Sequence, residues 1–315
     1  MYQEKIMEYI NSPDFKLENT AIALGKFEGL HRGHQLLLDE IQKQKNKGLK
    51  SAVFTFDMPP KSALSGDRGY EQIYTKEERK QILARRGIDI LIEHPFTKEF
   101  SSLSPEDFIR KVLVEKAGAK AVVVGTDFRF GKKRSGGIEH LKALSKELGY
   151  ELIVLHKLTD EEGDISSTRI RELIASGDME KAGELLGRPC FLMGKVIHGK
   201  ELGRTIQIPT VNQKVPPNKL TPPNGVYVSR IRVRGKSYYG ITNIGVKPTV
   251  ENEHVKGIET NIFDFSENIY DETIVVELLH YKRPEQKFSS VEELKNHMMD
   301  DIAFAKEYIR HFDEK

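Results

Sequence analysis

The sequence predicts two domains: an α/β domain with a parallel sheet over residues 1–186, and a smaller all-β domain over residues 187–315 that ends in one helix. Its 315 residues exceed one average domain. Strand and helix patterns alternate along the first part, which is typical of a parallel sheet covered by helices. Glycine and proline then punctuate a series of short strands, and the change falls at Gly187-Arg188-Pro189.

The first domain is predicted from apolar runs of strand length with helical segments between them. Thr75 and Glu78 form a capping box at one predicted helix start, and Gly87 ends that helix. Ser104 followed by Pro105 starts another helix. In such a sheet, ligands bind beyond the carboxyl ends of the strands. The predicted strands are residues 21–24, 52–56, 88–92, 121–124 and 152–155.

The second domain is predicted to be an antiparallel sheet or a small barrel, because its strands are short and closely spaced. Ser290 and Glu293 cap a last helix. One face of that helix is an apolar stripe, which indicates packing: Leu294, Met298, Ile302, Ala305 and Ile309. The predicted strands are residues 191–197, 226–233, 238–244, 258–265 and 273–280.

The composition favours a cytoplasmic enzyme that acts on small molecules. A net charge of +2 argues against nucleic acid or an anionic membrane as the main partner. The single cysteine, Cys190, excludes an intramolecular disulfide and a cysteine-based metal cluster. No apolar run reaches the roughly 20 residues of a membrane helix, and the first residues do not resemble a signal peptide. We expect a monomer or a weak homo-oligomer.

The most informative stretch is the glycine-rich turn over residues 25–34, GKFEGLHRGH, between a predicted strand and a predicted helix. Free N–H groups and the helix dipole make such a turn an anion site. Its glycines, among them Gly25 and Gly33, let the backbone approach a ligand. His31 and His34 lie three residues apart, so both rings can face one phosphate. Helix capping alone is the weaker interpretation of two histidines here.

This turn resembles the G-x-F-D-G-x-H-x-G-H signature of nucleotidyltransferases that use an H-x-G-H motif. Glu28 stands where that signature usually has aspartate, so the carboxylate is kept and is one methylene longer. The resemblance implies a Rossmann-like nucleotidyltransferase domain.

Two further stretches fall at the same edge of the predicted sheet. Residues 165–171, ISSTRIR, place hydroxyl groups and an arginine at a helix start, which suits a triphosphate but is also an ordinary helix cap. Residues 125–131, GTDFRFG, offer aromatic faces that could stack on a planar ring system or simply pack.

Together the three stretches resemble the adenylyltransferase half of bacterial bifunctional riboflavin kinase/FMN adenylyltransferases, the FAD synthetases. The resemblance implies in-line attack of the FMN phosphate on the α-phosphorus of ATP, with Mg²⁺ sharing the charge neutralisation. After the second strand, residues 55–60 read TFDMPP, where the family commonly has Pro-His-Pro. His31, His34 and Arg169 would be catalytic. Implied ATP-binding residues are Gly25, Phe27, Gly33, His34, Ser167, Thr168 and Arg169, and implied flavin-binding residues are Asp127, Phe128 and Phe130.

The second domain has its own candidate site. Thr210 and Asn212 are two residues apart, so in an extended segment their side chains share a face. Hydroxyl and amide oxygens are hard ligands that suit Mg²⁺. Glu259, on a later strand, could accept the proton of an attacking hydroxyl. Each residue alone also fits an ordinary turn or a solvated strand.

The combination resembles the riboflavin kinase barrel, with its P-T-x-N motif and its N-I-G-x-x-P-T stretch. The resemblance implies that Thr210 and Asn212 bind Mg²⁺–ATP and that Glu259 is the base on the riboflavin 5′-hydroxyl. Gln207 stands where glycine is usual, and Asn261 where an aromatic residue or histidine is frequent. Implied ATP-binding residues are Gly199, Gly203 and Arg204, and implied flavin-binding residues are Asn243, Gly245, Thr249 and Arg283.

Three hypotheses follow from the sequence. The first is a bifunctional enzyme that converts riboflavin to FMN and FMN to FAD. The second is a riboflavin kinase whose adenylyltransferase domain is weakened or altered, because of Glu28 and the missing histidine. The third is a flavin-binding regulator.

Overall fold

The computed structural model describes residues 6–58, 63, 69–199, 203, 207–248 and 254–313. The chain forms two compact units, Met1–Ser167 and Thr168–Lys315. The α/β class of the first and the barrel with a final helix in the second confirm the predicted fold.

The first unit is built on a six-stranded parallel sheet in the order β1-β4-β3-β2-β5-β6. All five predicted strands are present. The added strand β1 has only three residues and was not predicted, because so short a segment carries no pattern of its own. The strands are β1 (Glu8–Ile10), β2 (Thr20–Leu24), β3 (Lys50–Phe56), β4 (Ile90–His94), β5 (Ala119–Gly125) and β6 (Glu151–Leu155), followed by a hairpin of β7 (Thr159–Asp160) and β8 (Gly163–Asp164).

The helices of this unit begin where the sequence indicates. Both halves of the Thr75–Glu78 capping box are present, and the Ser104 side chain accepts a hydrogen bond from the Asp107 N–H. A π-helix, Phe108–Lys116, continues the helix that starts at Pro105, which sequence periodicity does not indicate. The helices are α1 (Arg32–Lys43), α2 (Lys76–Arg85), α3 (Lys98–Ser101), α4 (Pro105–Asp107) and α5 (Ile138–Leu148), with 3₁₀ turns at Gln44–Lys47 and Lys132–Arg134.

Neighbouring strands of this sheet place two of the candidate stretches side by side. β2 pairs with β5 in parallel, so the turns that follow Leu24 and Gly125 leave the same edge. The β2 residues are all buried, because helices cover both faces of the sheet. This edge is the expected ligand-binding edge of the unit.

The second unit contains a closed antiparallel barrel in the order β10-β13-β12-β11-β14-β9, in which β10 also pairs with β9. The five predicted strands are present. β10 was predicted only as an extended segment, because three of its four residues are polar. The strands are β9 (Cys190–Ile197), β10 (Val211–Lys214), β11 (Gly225–Val233), β12 (Lys236–Pro248), β13 (His254–Ile262) and β14 (Thr273–Pro284); the helices are α6 (Ser167–Ser176), α7 (Met179–Leu186) and α8 (Val291–Asp313).

Helix α7 packs against the barrel strands β9 and β14. Its Glu180 Oε1 lies 2.5 Å from His280 Nδ1 on β14. The predicted boundary places α6 and α7 in the first domain, whereas their packing groups them almost wholly with the barrel. A domain boundary at residues 186/187 therefore stays a prediction.

Helix α8 covers one outer face of the barrel. Ala305 is fully buried there, with Ile302 and Ile309 packed around it. The partners are Val226, Val228, Ile241 and Leu279 of the barrel. This confirms the packing role predicted for the apolar stripe.

Candidate active sites

The turn after β2 has a fixed and strained backbone. The Gly25 N–H donates to the Phe54 carbonyl at 3.3 Å, and Thr55 Oγ1 donates to the Lys26 carbonyl at 2.8 Å. Phe27 and Leu30 are left-handed, with φ of 44° and 43°, and both side chains are fully buried. Non-glycine residues adopt this conformation at a cost of about 1–3 kcal/mol, which is typically found at functional sites. The Phe27 ring packs 5.0 Å from the His34 ring, between centroids.

His31 is the N-cap of α1. Its Nδ1 accepts a hydrogen bond from the His34 N–H at 3.4 Å, so in the neutral ring the proton sits on Nε2. The His31 and His34 rings lie 3.8 Å apart between centroids, tilted by 32°. A Cβ at Gly33 would lie 3.2 Å from the His31 ring, so glycine there allows the ring to fold over the helix start.

Both imidazoles are held neutral. Burial lowers the pKa of His31 to about 4. Burial, and then repulsion from His31, holds the pKa of His34 well below its usual value. His34 Nδ1 is buried and has no hydrogen-bond partner among the residues that the structure describes. Because each neutral ring still carries one N–H donor, the pair can bind phosphate oxygens by hydrogen bonds at neutral pH.

Ser167 joins this turn. A Cβ at Gly29 would lie 3.4 Å from Ser167 Oγ. The motifs predict this hydroxyl beside the histidines, and Ser167 does meet the histidine turn within the first unit. Thr168 and Arg169 follow Ser167 in α6 and belong to the second unit.

The stretch after β5 divides into exposed and buried residues. Asp127 is exposed, and its Oδ2 lies 3.3 Å from Lys157 Nζ. Phe128 is half-buried and stacks on Phe130 with 5.5 Å between ring centroids. Phe130 itself is buried in the core against Phe108, at 5.2 Å. Of the two aromatic rings, Phe128 is thus the one with a face left for a ligand.

A pocket lies beside the turn, and sequence reasoning did not find it. Its lining includes Glu28, whose Oε2 accepts a hydrogen bond from the Tyr70 hydroxyl at 2.9 Å. Arg79 forms another wall and makes a buried ion pair with Glu93. Tyr70 lies 42 residues from Glu28, so no local pattern links them. Pro59 and Pro60, where the family histidine is missing, lie outside the described residues.

The candidate site of the second unit is a row of side chains across three strands. Glu259 on β13 lies directly opposite Asn212 on β10 and Asn243 on β12. Directly opposed residues share a face, with Cβ atoms about 4.5–5.5 Å apart. Thr210 Oγ1 donates to Glu259 Oε1 at 2.9 Å. The hydroxyl, amide and carboxylate that the sequence singled out are therefore brought together.

Glycines allow close approach to this row. A side chain at Gly199 would overlap the Asn212 amide, and one at Gly203 would overlap the Ile208 carbonyl. The Ile208 N–H donates to the Gly203 carbonyl at 2.8 Å. Arg204 and Thr249 lie outside the described residues.

The structure explains the two departures from the riboflavin kinase pattern, Gln207 and Asn261. Gln207 has φ of 66°, the left-handed region in which glycine is unstrained, which explains why glycine is usual there. Asn261 Nδ2 donates to the Pro209 carbonyl at 2.7 Å and so holds the segment that carries Thr210. This contact joins residues 52 positions apart and could not be read from the sequence.

The remaining flavin candidates differ in their surroundings. Gly245 faces the Glu285 carboxylate, which any side chain there would displace. The Arg283 guanidinium donates to both Asp301 oxygens, at 3.0 and 2.7 Å. Asp301 belongs to α8 and is only 2% exposed, so Arg283 ties that helix to β14.

Thr210, Asn212 and Glu259 fit a magnesium ion by the chemistry of their donors. All three offer hard oxygen atoms, and Thr210 keeps its lone pairs while it donates to Glu259. Over the part of the chain that the structure describes, no group of three His, Cys, Asp or Glu residues is placed to hold a metal. A site here would thus depend on phosphate oxygens and water for its other ligands.

Comparison with known proteins identifies the family. The family model for FAD synthetase matches residues 14–169, and the model for riboflavin kinase matches residues 186–309. The bifunctional riboflavin kinase/FMN adenylyltransferase of Haemophilus influenzae is 34% identical over 93% of this chain and 95% of its own length. The chain belongs to the bifunctional riboflavin kinase/FMN adenylyltransferase family. The family members of Listeria monocytogenes and Escherichia coli K12 are 38% and 33% identical over 88% and 92% of this chain, and over 88% and 93% of their own lengths.

A solved structure has the same fold. It is a crystal structure described as a macrolide-efflux protein from Streptococcus pneumoniae, 33% identical, with a TM-score of 0.85 over 96% of this chain and 99% of its own. The word efflux in that description applies to the Streptococcus pneumoniae protein only. None of the helices within the described ranges is both long and apolar enough to span a bilayer. Membership of the bifunctional family confirms the resemblance stated from the motifs.

Proposed function

We propose that the chain makes FAD from riboflavin in two ATP-dependent steps, one in each unit. One observation carries this proposal: both family models match this one chain, and each matched region contains a candidate site of suitable chemistry. The barrel unit converts riboflavin to FMN, and the α/β unit converts FMN to FAD with release of pyrophosphate. The substrates are small molecules, the location is the cytoplasm, and the chain acts as a monomer or weak homo-oligomer without nucleic acid.

In the kinase step, Glu259 accepts the proton of the riboflavin 5′-hydroxyl as the hydroxyl oxygen attacks the γ-phosphorus of ATP, and the bond from that phosphorus to ADP breaks. The hydrogen bond from Thr210 fixes the Glu259 carboxylate for this role. Thr210 and Asn212 hold Mg²⁺, which supplies neutralisation of the phosphate charge when bound. Gly199, Gly203 and Arg204 lie along the nucleotide, and the flavin contacts Asn243, Gly245, Thr249 and Arg283.

In the adenylyl step, an FMN phosphate oxygen attacks the α-phosphorus of ATP, and the bond to pyrophosphate breaks. His31 and His34 donate hydrogen bonds to phosphate oxygens from a fixed position, so little reorganisation is needed as charge shifts. Ser167 completes the grip on the nucleotide, beside Gly25, Phe27 and Gly33. Asp127, Phe128 and Phe130 border the flavin.

The two alternatives from the sequence find less support. Glu28 keeps its carboxylate in the turn, with a hydrogen bond from Tyr70. The histidine pair that would bind phosphate is assembled, with His31 buried and His34 half-buried. Relatives named for both activities match this chain over nearly all of its length. These observations favour two working sites over a kinase alone or a regulator.

A product assay tests the proposal. Purified protein with riboflavin, ATP and Mg²⁺ is expected to yield FMN first and then FAD and pyrophosphate, separated by chromatography. FMN without FAD would indicate a kinase with an altered first unit. Neither product would indicate a regulator. Omission of Mg²⁺, with EDTA added, is expected to stop both steps.

A further inference from the structure

The turn after β5 continues into a strongly basic segment that the proposed function has not yet used. Lys132, Lys133 and Arg134 follow Gly131 directly, and all three side chains are exposed. We call these three residues the cationic loop. Arg129, three residues before Lys132, donates a hydrogen bond from its guanidinium to the Phe128 carbonyl at 2.9 Å.

The backbone of the cationic loop is strained. Lys133 and Arg134 are consecutive left-handed residues, with φ of 53° and 59°, and neither is glycine, asparagine or aspartate. Each such residue costs about 1–3 kcal/mol and persists only where the surrounding structure enforces it. An observed outlier of this kind points to a functional constraint.

Neighbouring backbone holds this conformation in place. The Lys132 N–H donates to the Leu103 carbonyl at 2.7 Å, and the Arg134 N–H donates to the Gly131 carbonyl at 3.0 Å. Phe130 and Gly136 exchange two hydrogen bonds, which close the base of the loop. The three cations are therefore displayed by a fixed backbone.

The cationic loop is not neutralised by any carboxylate of the described ranges. Among the described residues, none of its three side chains lies within 4.0 Å of an acidic group, the ion-pair distance. The nearby acids at the start of α4 are committed elsewhere. Glu106 pairs with Arg110 at 2.9 Å, and Asp107 pairs with Lys111 at 2.8 Å.

The cationic loop lies at the ligand-binding edge of the first unit. It follows β5, whose carboxyl end adjoins that of β2 and its histidine turn. Its contact with Leu103 places it at the start of α4, on the same edge. The half-exposed ring of Phe128 precedes it in the same turn.

We propose that the cationic loop binds the 5′-phosphate of FMN in the first unit. This inference rests on the proposed function, and it assigns Lys132, Lys133 and Arg134 a role that no motif gave them. A phosphate monoester carries about two negative charges at neutral pH, and it must approach the polyanionic triphosphate of ATP. A cluster of three unpaired cations offsets that repulsion and raises the local concentration of the anion.

The flavin phosphate is a better occupant than the triphosphate. The histidine turn and Ser167 already provide the triphosphate site. Phe128 and the cations lie in one turn, as a ligand with a planar ring at one end and a phosphate at the other requires. Riboflavin, which lacks the phosphate, would gain nothing from the cationic loop.

The test is steady-state kinetics of FAD formation from FMN and ATP at low salt, in wild type and in Lys132→Gln/Lys133→Gln/Arg134→Gln. We expect KM for FMN to rise about tenfold, with KM for ATP and kcat within about twofold. The fall of kcat/KM for FMN with added salt is expected to be shallower in the triple variant. The matched control is Lys120→Gln/Lys142→Gln/Lys146→Gln, which removes three other exposed cations of the same unit and should match wild type.

Unchanged kcat and KM for ATP in FAD formation report that the first unit of the triple variant is folded, and riboflavin phosphorylation, the reaction of the second unit, should equal that of wild type. An unchanged KM for FMN would overturn this inference and leave the proposed function intact. A rise confined to KM for ATP, or the same rise in KM for FMN in the control variant, would do the same. If the triple variant loses kinase activity, the single variants Lys132→Gln, Lys133→Gln and Arg134→Gln are measured instead. The rise in KM for FMN must then reappear in them. A wild-type protein that makes no FAD would overturn the proposed function, and this inference with it.

Discussion

The two sites proposed to bind ATP are built from different parts of this chain. The histidine turn of the first lies within ten consecutive residues, where His31 caps α1 and its ring lies 3.8 Å from that of His34. The second is assembled from three barrel strands, where Glu259 lies between Asn212 and Asn243. Local backbone conformation thus determines the first site, and strand register determines the second.

The electrostatics differ in the same way. The first site places the His31 and His34 rings, both held neutral, at a helix start. The second site offers neutral oxygen ligands next to one carboxylate. The positive charge that would face the phosphates there is that of a bound metal ion. We therefore expect substitutions to damage one activity and spare the other.

The largest effect is expected from Glu259→Gln. The amide cannot accept the hydroxyl proton, so FMN formation should fall by about 10²–10⁴-fold. FAD formation from supplied FMN should stay at the wild-type rate, as measured by chromatography of the products. Glu267→Gln, at an exposed carboxylate of the same unit, should leave both rates unchanged. Equal loss of both activities in Glu259→Gln would contradict the claim that the two sites are separate.

A comparable loss in the first unit is expected from His31→Asn. Asparagine caps a helix well but carries no imidazole, so FAD formation should fall by about 10²–10³-fold while the thermal midpoint stays the same. His31→Ala should lose the same activity and about 1 kcal/mol of stability as well. If both variants kept full FAD formation, the histidines would be structural only.

The buried imidazoles should make stability depend on pH. In the unfolded chain His31 binds a proton near pH 6.5, whereas in the folded chain burial lowers its pKa to about 4. The unfolded state is therefore favoured as pH falls from 6.5 to 4, by an amount on the order of 3 kcal/mol for this residue, and His34 acts in the same direction. Urea unfolding followed by circular dichroism should show that His31→Asn reduces this pH dependence. An unchanged pH dependence would show that the ring is not held neutral.

The smallest effect is expected at Asn261, which acts only through the segment that carries Thr210. Asn261→Leu keeps the size of the side chain and loses the hydrogen bond to Pro209. A bond of this kind is worth about 0.5–1.5 kcal/mol, so KM for Mg²⁺–ATP in the kinase step should rise about three- to tenfold. Asn261→His, which restores a ring N–H donor, should recover part of the loss. A fall in kcat alone, without a change in KM, would contradict a positioning role.

Much of this structure follows from local sequence. The capping box at Thr75, the helix start at Ser104 and the apolar strands are set by interactions within a few residues, and all were predicted. The histidine turn belongs to the same class, because its glycines and its cap lie in one segment. The short strand β1 and the polar strand β10 exist only because partner strands pair with them, so their own residues give no signal.

The parts of the sites that were missed share one cause. Tyr70 reaches Glu28, and Asn261 reaches Pro209, across 42 and 52 residues of sequence. Such contacts follow from strand order and register, which a pattern of residue types does not specify. The left-handed Lys133 and Arg134 were missed for a different reason, because their side chains do not favour that conformation.

The most direct test of two independent sites mixes the His31→Asn and Glu259→Gln variants with riboflavin, ATP and Mg²⁺. Neither variant alone should make FAD from riboflavin. In the mixture, FMN made by His31→Asn should be converted to FAD by Glu259→Gln. A mixture that makes no FAD, with or without added FMN, would contradict this account.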